Sequence, residues 1–173
     1  MTELVWEKAW NLLQINEGGY QCLRNDRGNW TSGRVGVGEL KGTKYGISAM
    51  SYPNLDIKNL TLDDAKKIYY KDYWLKYKCQ LLPDALSIAV LDYAVNSGKQ
   101  AIYDLQASLD IVIDGVIGNQ TIGAANTKPI KPVLDEYMHR RLNFNVTRCD
   151  WKTFGKVWGE RLNTVWNFCE RFI

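Results

Sequence analysis

The stretch that decides how this chain is interpreted is Ile15-Asn16-Glu17-Gly18-Gly19-Tyr20, in which a carboxylate stands directly before a double glycine. Apolar residues precede it at roughly helical spacing, at Leu4, Val5, Ala9, Leu12, Leu13 and Ile15. The spacing predicts a helix that Gly18 or Gly19 terminates, with Glu17 in its last turn. The helix dipole and partial burial both disfavour a carboxylate there and favour its protonated form. Glu17 is therefore our candidate general acid, and a solvated helix-end Glu is the alternative.

Two polar candidates follow Glu17 along the chain. Asp26 comes nine positions later, in the turn Asn25-Asp26-Arg27-Gly28, and residues 42–48 read Gly-Thr-Lys-Tyr-Gly-Ile-Ser. This order of Glu-Gly-Gly-Tyr, an Asp-containing turn and Gly-x-Thr-x-Tyr-Gly-Ile resembles the N-terminal signature of glycoside hydrolase family 108. Its members are muramidases of phages and bacterial prophages. Against the Glu, Asp, Thr order of phage lysozymes, residues 29–41 are an insertion that makes Thr43 arrive late.

The resemblance continues through most of the chain. Residues 65–74 are similar to the family's Ala-x-x-x-Tyr-x-x-x-Tyr-Trp helix, and residues 92–98 match its Asp-x-x-x-Asn-x-Gly step. Residues 105–124 look like the peptidoglycan-binding segment that follows, and residues 154–161 give a looser match. The resemblance implies a muramidase catalytic region over 1–95 and a peptidoglycan-binding-like helical region over 96–173, packed as one compact globule.

The activity that the resemblance implies is that of an endolysin-like N-acetylmuramidase, a peptidoglycan hydrolase that needs no cofactor. It would cleave between N-acetylmuramic acid and N-acetylglucosamine, with Glu17 as general acid. The second carboxylate is Asp26 or an acid within the insertion, such as Glu39, and the Thr43 hydroxyl would position water or sugar. A lytic transglycosylase acting on the same bond is the enzymatic alternative. A non-catalytic wall-binding or secretion-associated protein is the alternative from another class.

Four further residues are candidates for substrate binding. Tyr20 and Tyr45 flank the motif and would either contact sugar or pack beneath the cleft. Asp92 and Asn96 lie four positions apart on one helix face, so they would line the cleft floor together. The alternative for this pair is a solvated helix face.

The fold class that we expect is mainly α, an α+β lysozyme-like fold with a small irregular or β-hairpin lobe over a catalytic cleft. The glycine-rich stretch 28–42 would form that lobe, with residues 34–37 as a hairpin or an ordered loop. Pro129 and Pro132 bracket a predicted connector. Further helices are expected over residues 61–77, 83–98, 100–109, 133–145 and 154–172.

Composition limits the function classes. The chain has 173 residues, of which 46% are hydrophobic and 24% are charged. This composition is typical of a soluble globular protein with a hydrophobic core. A net charge of +3 spread along the chain excludes an extended nucleic-acid surface. One His and four Cys without Cys-x-x-Cys spacing argue against a metal site and leave open whether the cysteines stay free or pair.

Targeting and assembly are also expectations from the sequence. No apolar stretch is long enough to span a membrane, and the N-terminal residues do not look like a signal peptide. We therefore expect a monomer made in the cytoplasm that acts on the bacterial cell wall, in the periplasm, after release by a holin-type pore or another route.

Overall fold

The computed structural model describes residues 2–15 and 18–173, so Asn16 and the candidate acid Glu17 lie outside the described residues. The chain is mainly helical, with one short antiparallel strand pair, as predicted. The α-helices of the described residues are α1 (Thr2–Ile15), α2 (Leu62–Tyr69), α3 (Asp84–Ser97), α4 (Gln100–Ser108), α5 (Asn119–Thr127), α6 (Ile130–Thr147) and α7 (Trp151–Cys169). The strands are β1 (Thr43–Lys44) and β2 (Ile47–Ser48).

The structure divides into two compact units, which we call the helical unit and the small unit. The helical unit consists of Met1–Ala9 and Lys71–Ile173, and the small unit is Trp10–Tyr70. Helix α1 contributes residues to both. The muramidase region 1–95 and the peptidoglycan-binding-like region 96–173 are defined by their activities, so that division of the chain stays a prediction.

Helix α3 forms the centre of the helical unit. Each residue from Ala85 to Ala94 is buried, and α4, α6 and α7 pack against the helix. A helix that is apolar on nearly every face needs neighbours all round, and these three helices supply them. Its ends are as predicted, because Pro83 is the N-cap and Gly98, with φ +56°, is the C-cap.

The structure differs from the predicted helices in both halves of the chain. Within the predicted helix 61–77, α2 ends at Tyr69 and a π-helix, Tyr70–Leu75, follows it. Helix α6 begins at Ile130, so Pro132 lies inside its first turn and does not end a connector. The fold tolerates this proline because backbone N–H groups of a first turn have no partner within the helix. Helix α5 was not predicted, and its sequence, Asn-Gln-Thr-Ile-Gly-Ala-Ala-Asn-Thr, has a weak apolar pattern. The last helix begins at Trp151, three residues earlier than expected.

The small unit contains the predicted capping box and a hairpin at an unexpected place. Thr61 Oγ1 accepts from the Asp64 N–H over 3.1 Å, and the Asp64 carboxylate accepts from the Thr61 N–H over 3.2 Å. The strands β1 and β2 pair Thr43 with Ser48. Residues 34–37 form a loop, so the second of the two predicted possibilities is correct there.

The part of the chain that the structure describes contains no candidate membrane-spanning helix. None of its helices is both long and apolar enough to cross a bilayer.

Candidate active site

A polar network in the small unit joins two of the predicted catalytic residues. Its centre is Asn29, which is fully buried. The Asn29 side-chain oxygen accepts hydrogen bonds from Thr43 Oγ1 over 2.8 Å and from Gln21 Nε2 over 3.0 Å. The same Gln21 nitrogen lies 3.0 Å from Asp26 Oδ2, to which it also donates. Asp26 and Thr43 therefore share one network, although 17 positions separate them.

The Asn29 amide nitrogen completes this network. It donates to Gln21 Oε1 over 2.8 Å and to the Leu23 carbonyl over 3.0 Å. Both polar atoms of the side chain are thus engaged in a site without access to water. Buried amides of this kind are costly unless satisfied, and a satisfied network holds its members in one arrangement.

Asp26 is oriented by two groups. It is the N-cap of the short 3-10 helix Arg27–Asn29, where its Oδ1 accepts from the Gly28 N–H over 2.8 Å. Its other oxygen accepts from Gln21. A carboxylate held through both oxygens keeps a fixed direction, and each oxygen retains a lone pair for a further donor. Asp26 is half-buried, so a bound water or sugar could reach it.

The insertion 29–41 is a loop whose two ends meet. The Asn29 carbonyl accepts from the N–H groups of Lys41 over 2.9 Å and Gly42 over 3.1 Å, and Trp30 and Leu40 form an antiparallel bridge. The chain therefore leaves and returns at the same place. This geometry explains how Thr43 joins the network of Asp26 despite its late position in the sequence.

The segment after Glu17 is tied to the same region. Gln21 and Thr43 exchange two backbone hydrogen bonds, of 2.9 and 2.8 Å, and the Gly18 carbonyl accepts from the Tyr45 N–H over 3.0 Å. Gly18 directly follows Glu17 in the chain. Glu17 itself lies outside the described residues, so its role stays a prediction.

The two candidate tyrosines occupy different surroundings. Tyr20 is 40% exposed, and its ring lies over Gly42, where an added Cβ would come within 2.7 Å of the ring. Tyr45 is half-buried and has a φ of +51°, as the first residue of the turn between β1 and β2. Gly46 follows with φ +74°, so two consecutive positive φ angles make the turn that favours hairpins. Sugar contacts by either tyrosine remain predictions.

Glu39, the alternative second carboxylate, lies outside this network. Its side chain is 73% exposed and pairs with Lys41 Nζ over 3.1 Å. Of the two carboxylates considered, the structure brings Asp26 together with Thr43.

Asp92 and Asn96 lie in the helical unit. Asp92 is 1% exposed, and its carboxylate pairs with Arg141 Nη2 over 2.7 Å and with Arg161 Nη2 over 2.8 Å. Burial opposes ionisation of Asp92, but the charges of Arg141 and Arg161 outweigh it and hold the pKa of this carboxyl below its ordinary value. Asn96 is exposed, and its amide donates to the Asp92 carbonyl over 2.6 Å. Their predicted contact with substrate stays a prediction.

The comparisons with known proteins can now be set beside this geometry. Residues 10–98, just over half of the chain, match the family described as Glycosyl hydrolase 108. The chain belongs to this family. Membership supports a glycoside hydrolase that acts on peptidoglycan.

A solved structure gives a match over nearly the full length. The structure of Brucella abortus SagA is 28% identical, with a TM-score of 0.82, and the alignment covers 98% of this chain and 96% of that chain. This match confirms the predicted lysozyme-like α+β fold. No curated protein matches the chain.

Sequence analysis missed Gln21 and Asn29. Gln21 directly follows the quoted motif, and Asn29 is the first residue of the insertion. An isolated Gln or Asn carries no spacing signal, since its importance depends on partners that only folding supplies.

Proposed function

We propose that this family member is an N-acetylmuramidase, which hydrolyses the bond between N-acetylmuramic acid and N-acetylglucosamine with Glu17 as general acid. Family membership and the order Glu17, Asp26, Thr43 support the proposal. The observation that carries it is the network in which Gln21 and Asn29 hold Asp26 and Thr43 together.

Each residue has a role in the proposed reaction. Glu17 donates a proton to the leaving glycosidic oxygen while positive charge develops at the sugar ring. The Asp26 carboxylate stabilises that charge or takes a proton from the attacking water. The Thr43 hydroxyl donates to Asn29, which leaves its oxygen lone pairs free to accept a hydrogen bond from water or sugar.

Hydrolysis is favoured over transglycosylation by the second carboxylate. A lytic transglycosylase uses one acid, because a hydroxyl of the sugar itself attacks the ring carbon. An oriented carboxylate such as Asp26 is useful when a water must be activated or a charge stabilised. Mass spectrometry of the released muropeptides distinguishes the reactions, since hydrolysis gives reducing ends and transglycosylation gives anhydro ends.

The test of Glu17 compares Glu17→Gln with Glu3→Gln, a change at an exposed position of α1. Loss of turbidity of purified peptidoglycan is followed after circular dichroism shows equal folding. We expect Glu17→Gln to lower the rate by about 10²-fold or more, the usual contribution of general acid catalysis, and Glu3→Gln to leave it unchanged. Equal lysis by both variants, or no lysis by the unmodified protein on several wall types, would refute the proposal.

A second comparison tests the choice between the two carboxylates. Asp26→Asn retains an acceptor for the Gly28 N–H, and Glu39→Gln removes the charge of the exposed alternative. We expect Asp26→Asn to lose lysis of peptidoglycan and Glu39→Gln to retain it. The reverse result would assign the second carboxylate to the insertion.

A further inference from the structure

A pocket lined by three arginines lies within the helical unit. It has a volume of about 190 Å³. Side chains of α3, α6, α7 and the connection between the last two line it, among them Asn96, Arg141, Asn145, Arg148, Trp158 and Arg161.

The three arginines of this pocket differ in their described carboxylate partners. Arg141 and Arg161 share the single carboxylate of Asp92. Arg148 pairs with none of the carboxylates that the structure describes, and its guanidinium lies over the rings of Trp158 at 4.9 Å and Phe144 at 6.0 Å. The charge of Arg148 is therefore not balanced by a described carboxylate, and such a charge attracts an anionic group.

Arg141 also has unused hydrogen-bonding capacity. The residue is 3% exposed, yet its Nε and Nη1 atoms have no hydrogen-bond partner among the described residues. The face of its guanidinium lies over the Tyr93 ring at 5.0 Å, which does not satisfy N–H donors. Unpaired buried donors are rare in folded proteins and call for an explanation. Two unpaired nitrogens on the buried guanidinium of Arg141 fit a site that is completed by a ligand.

The stacking of Arg148 on Trp158 prepares this guanidinium for binding. Arg148 is exposed, so its charge can meet a ligand from solvent, and the Trp158 ring limits the directions that its planar group can take. A planar guanidinium fork matches a carboxylate with two parallel hydrogen bonds. Trp158 is half-buried, so part of its face remains for an apolar or sugar group next to that carboxylate.

Size restricts the ligand further. Pockets that enclose a complete small molecule usually have about 300–1,000 Å³, more than the 190 Å³ of this one. It therefore fits one end of a larger molecule, on the scale of a single amino-acid residue.

We propose that this pocket binds a carboxylate of the peptidoglycan stem peptide, with Arg148 as the primary contact and Trp158 beside the adjoining group. The inference rests on the proposed function, because it takes the substrate to be peptidoglycan. It assigns recognition of the stem peptide to residues of α6, α7 and the connection between them.

The probe is N-acetylmuramyl-L-alanyl-D-isoglutamine, which carries one carboxylate, and its neutral methyl ester is the matched ligand. Both are titrated into the full chain by isothermal titration calorimetry. We expect the ester to bind about tenfold more weakly or worse, as loss of a hydrogen-bonded charge implies. We expect Arg148→Gln to lose the same affinity for the acid and Arg148→Lys to lose less. Lys152→Gln, at an exposed position of α7, is the control and should bind the acid unchanged.

Equal binding of acid and ester, equal binding by Arg148→Gln and the unmodified protein, or no binding of the acid at millimolar concentration would overturn the inference. The ester comparison uses the unmodified protein, so it decides the question even if a variant fails to fold. Titration of Glu17→Gln separates the two proposals, since its binding is expected to be normal while its lysis is lost. Binding without lysis in the unmodified protein would refute the muramidase proposal alone, and lysis without binding would refute this inference alone.

Discussion

Thr43 donates its hydroxyl hydrogen to the side-chain oxygen of Asn29 over 2.8 Å, and this bond ties the first strand of the hairpin to the network that holds Asp26. Asn29 is the first residue of the insertion 29–41, and Thr43 follows its last residue by two positions. The closed loop between them means that the insertion adds length without separating the candidate catalytic residues. The structural requirements of this arrangement can be tested independently of activity.

Asn29→Ala should destabilise the protein by about 2–4 kcal/mol. The substitution leaves Gln21, Thr43 and a backbone carbonyl without their partner in a site where Asn29 is fully buried. Urea unfolding gives the free energy, and Asn25→Ala, at an exposed position in the same turn, is the control. A change equal to that of the control would show that the network does not stabilise the fold.

Gly42→Ala should lower the free energy of unfolding more than Gly36→Ala does. Both glycines have similar positive φ angles, +85° and +80°, so the backbone strain is matched. A Cβ at 42 would lie 2.5 Å from the Gln21 carbonyl oxygen, whereas one at 36 meets nothing within 4 Å. We expect Gly36→Ala to cost about 1 kcal/mol by thermal unfolding and Gly42→Ala roughly 1–3 kcal/mol more, since the clash is with backbone. Equal costs would contradict the close approach at Gly42.

Asp92→Asn should lower the free energy of unfolding by about 3–5 kcal/mol at pH 7, since it leaves two arginines without their shared buried carboxylate. Asp110→Asn, at an exposed position, should change it little. Chemical denaturation of both variants gives the difference, and similar values would argue against a stabilising ion cluster.

Lowering the pH should destabilise the unmodified protein through the carboxyl group of Asp92. The pKa of Asp92 lies below its ordinary 3.8 because the charges of Arg141 and Arg161 outweigh the effect of burial. The unfolded chain therefore binds a proton at higher pH than the folded one does, so this contribution is full well above pH 4 and is lost as the pH falls through the folded pKa. Urea unfolding from pH 6 to pH 2 should show a shallower decline in Asp92→Asn than in the unmodified protein.

Thiol labelling should divide the four cysteines, all free in the structure. Burial raises the pKa of the Cys79 and Cys169 thiols, so little reactive thiolate forms there at neutral pH. We expect iodoacetamide and mass spectrometry to show Cys149, which is exposed, labelled first and half-buried Cys22 more slowly. Cys79 and Cys169 should react after denaturation, and their early labelling in folded protein would contradict the observed burial.

Local signals predicted much of the fold. Thr61 and Asp64 form the expected capping box, and Pro83 and Gly98 bound the central helix as expected. These signals work because a helix end is satisfied by residues within one turn of it. The prediction was wrong at Pro132, where the sequence does not distinguish a proline in a first helical turn from one that ends a connector.

The sequence by itself determined the family signature, the mainly helical class and the candidate residues Glu17, Asp26 and Thr43, because these depend on residue types at fixed spacing. Tertiary structure decided which polar groups meet. It closed the insertion so that Thr43 reaches Asn29, and it buried Asp92 against Arg161, 69 positions away. Partners so far apart leave no periodic trace in the sequence, since hydrogen bonds and ion pairs depend on distance in space and not along the chain.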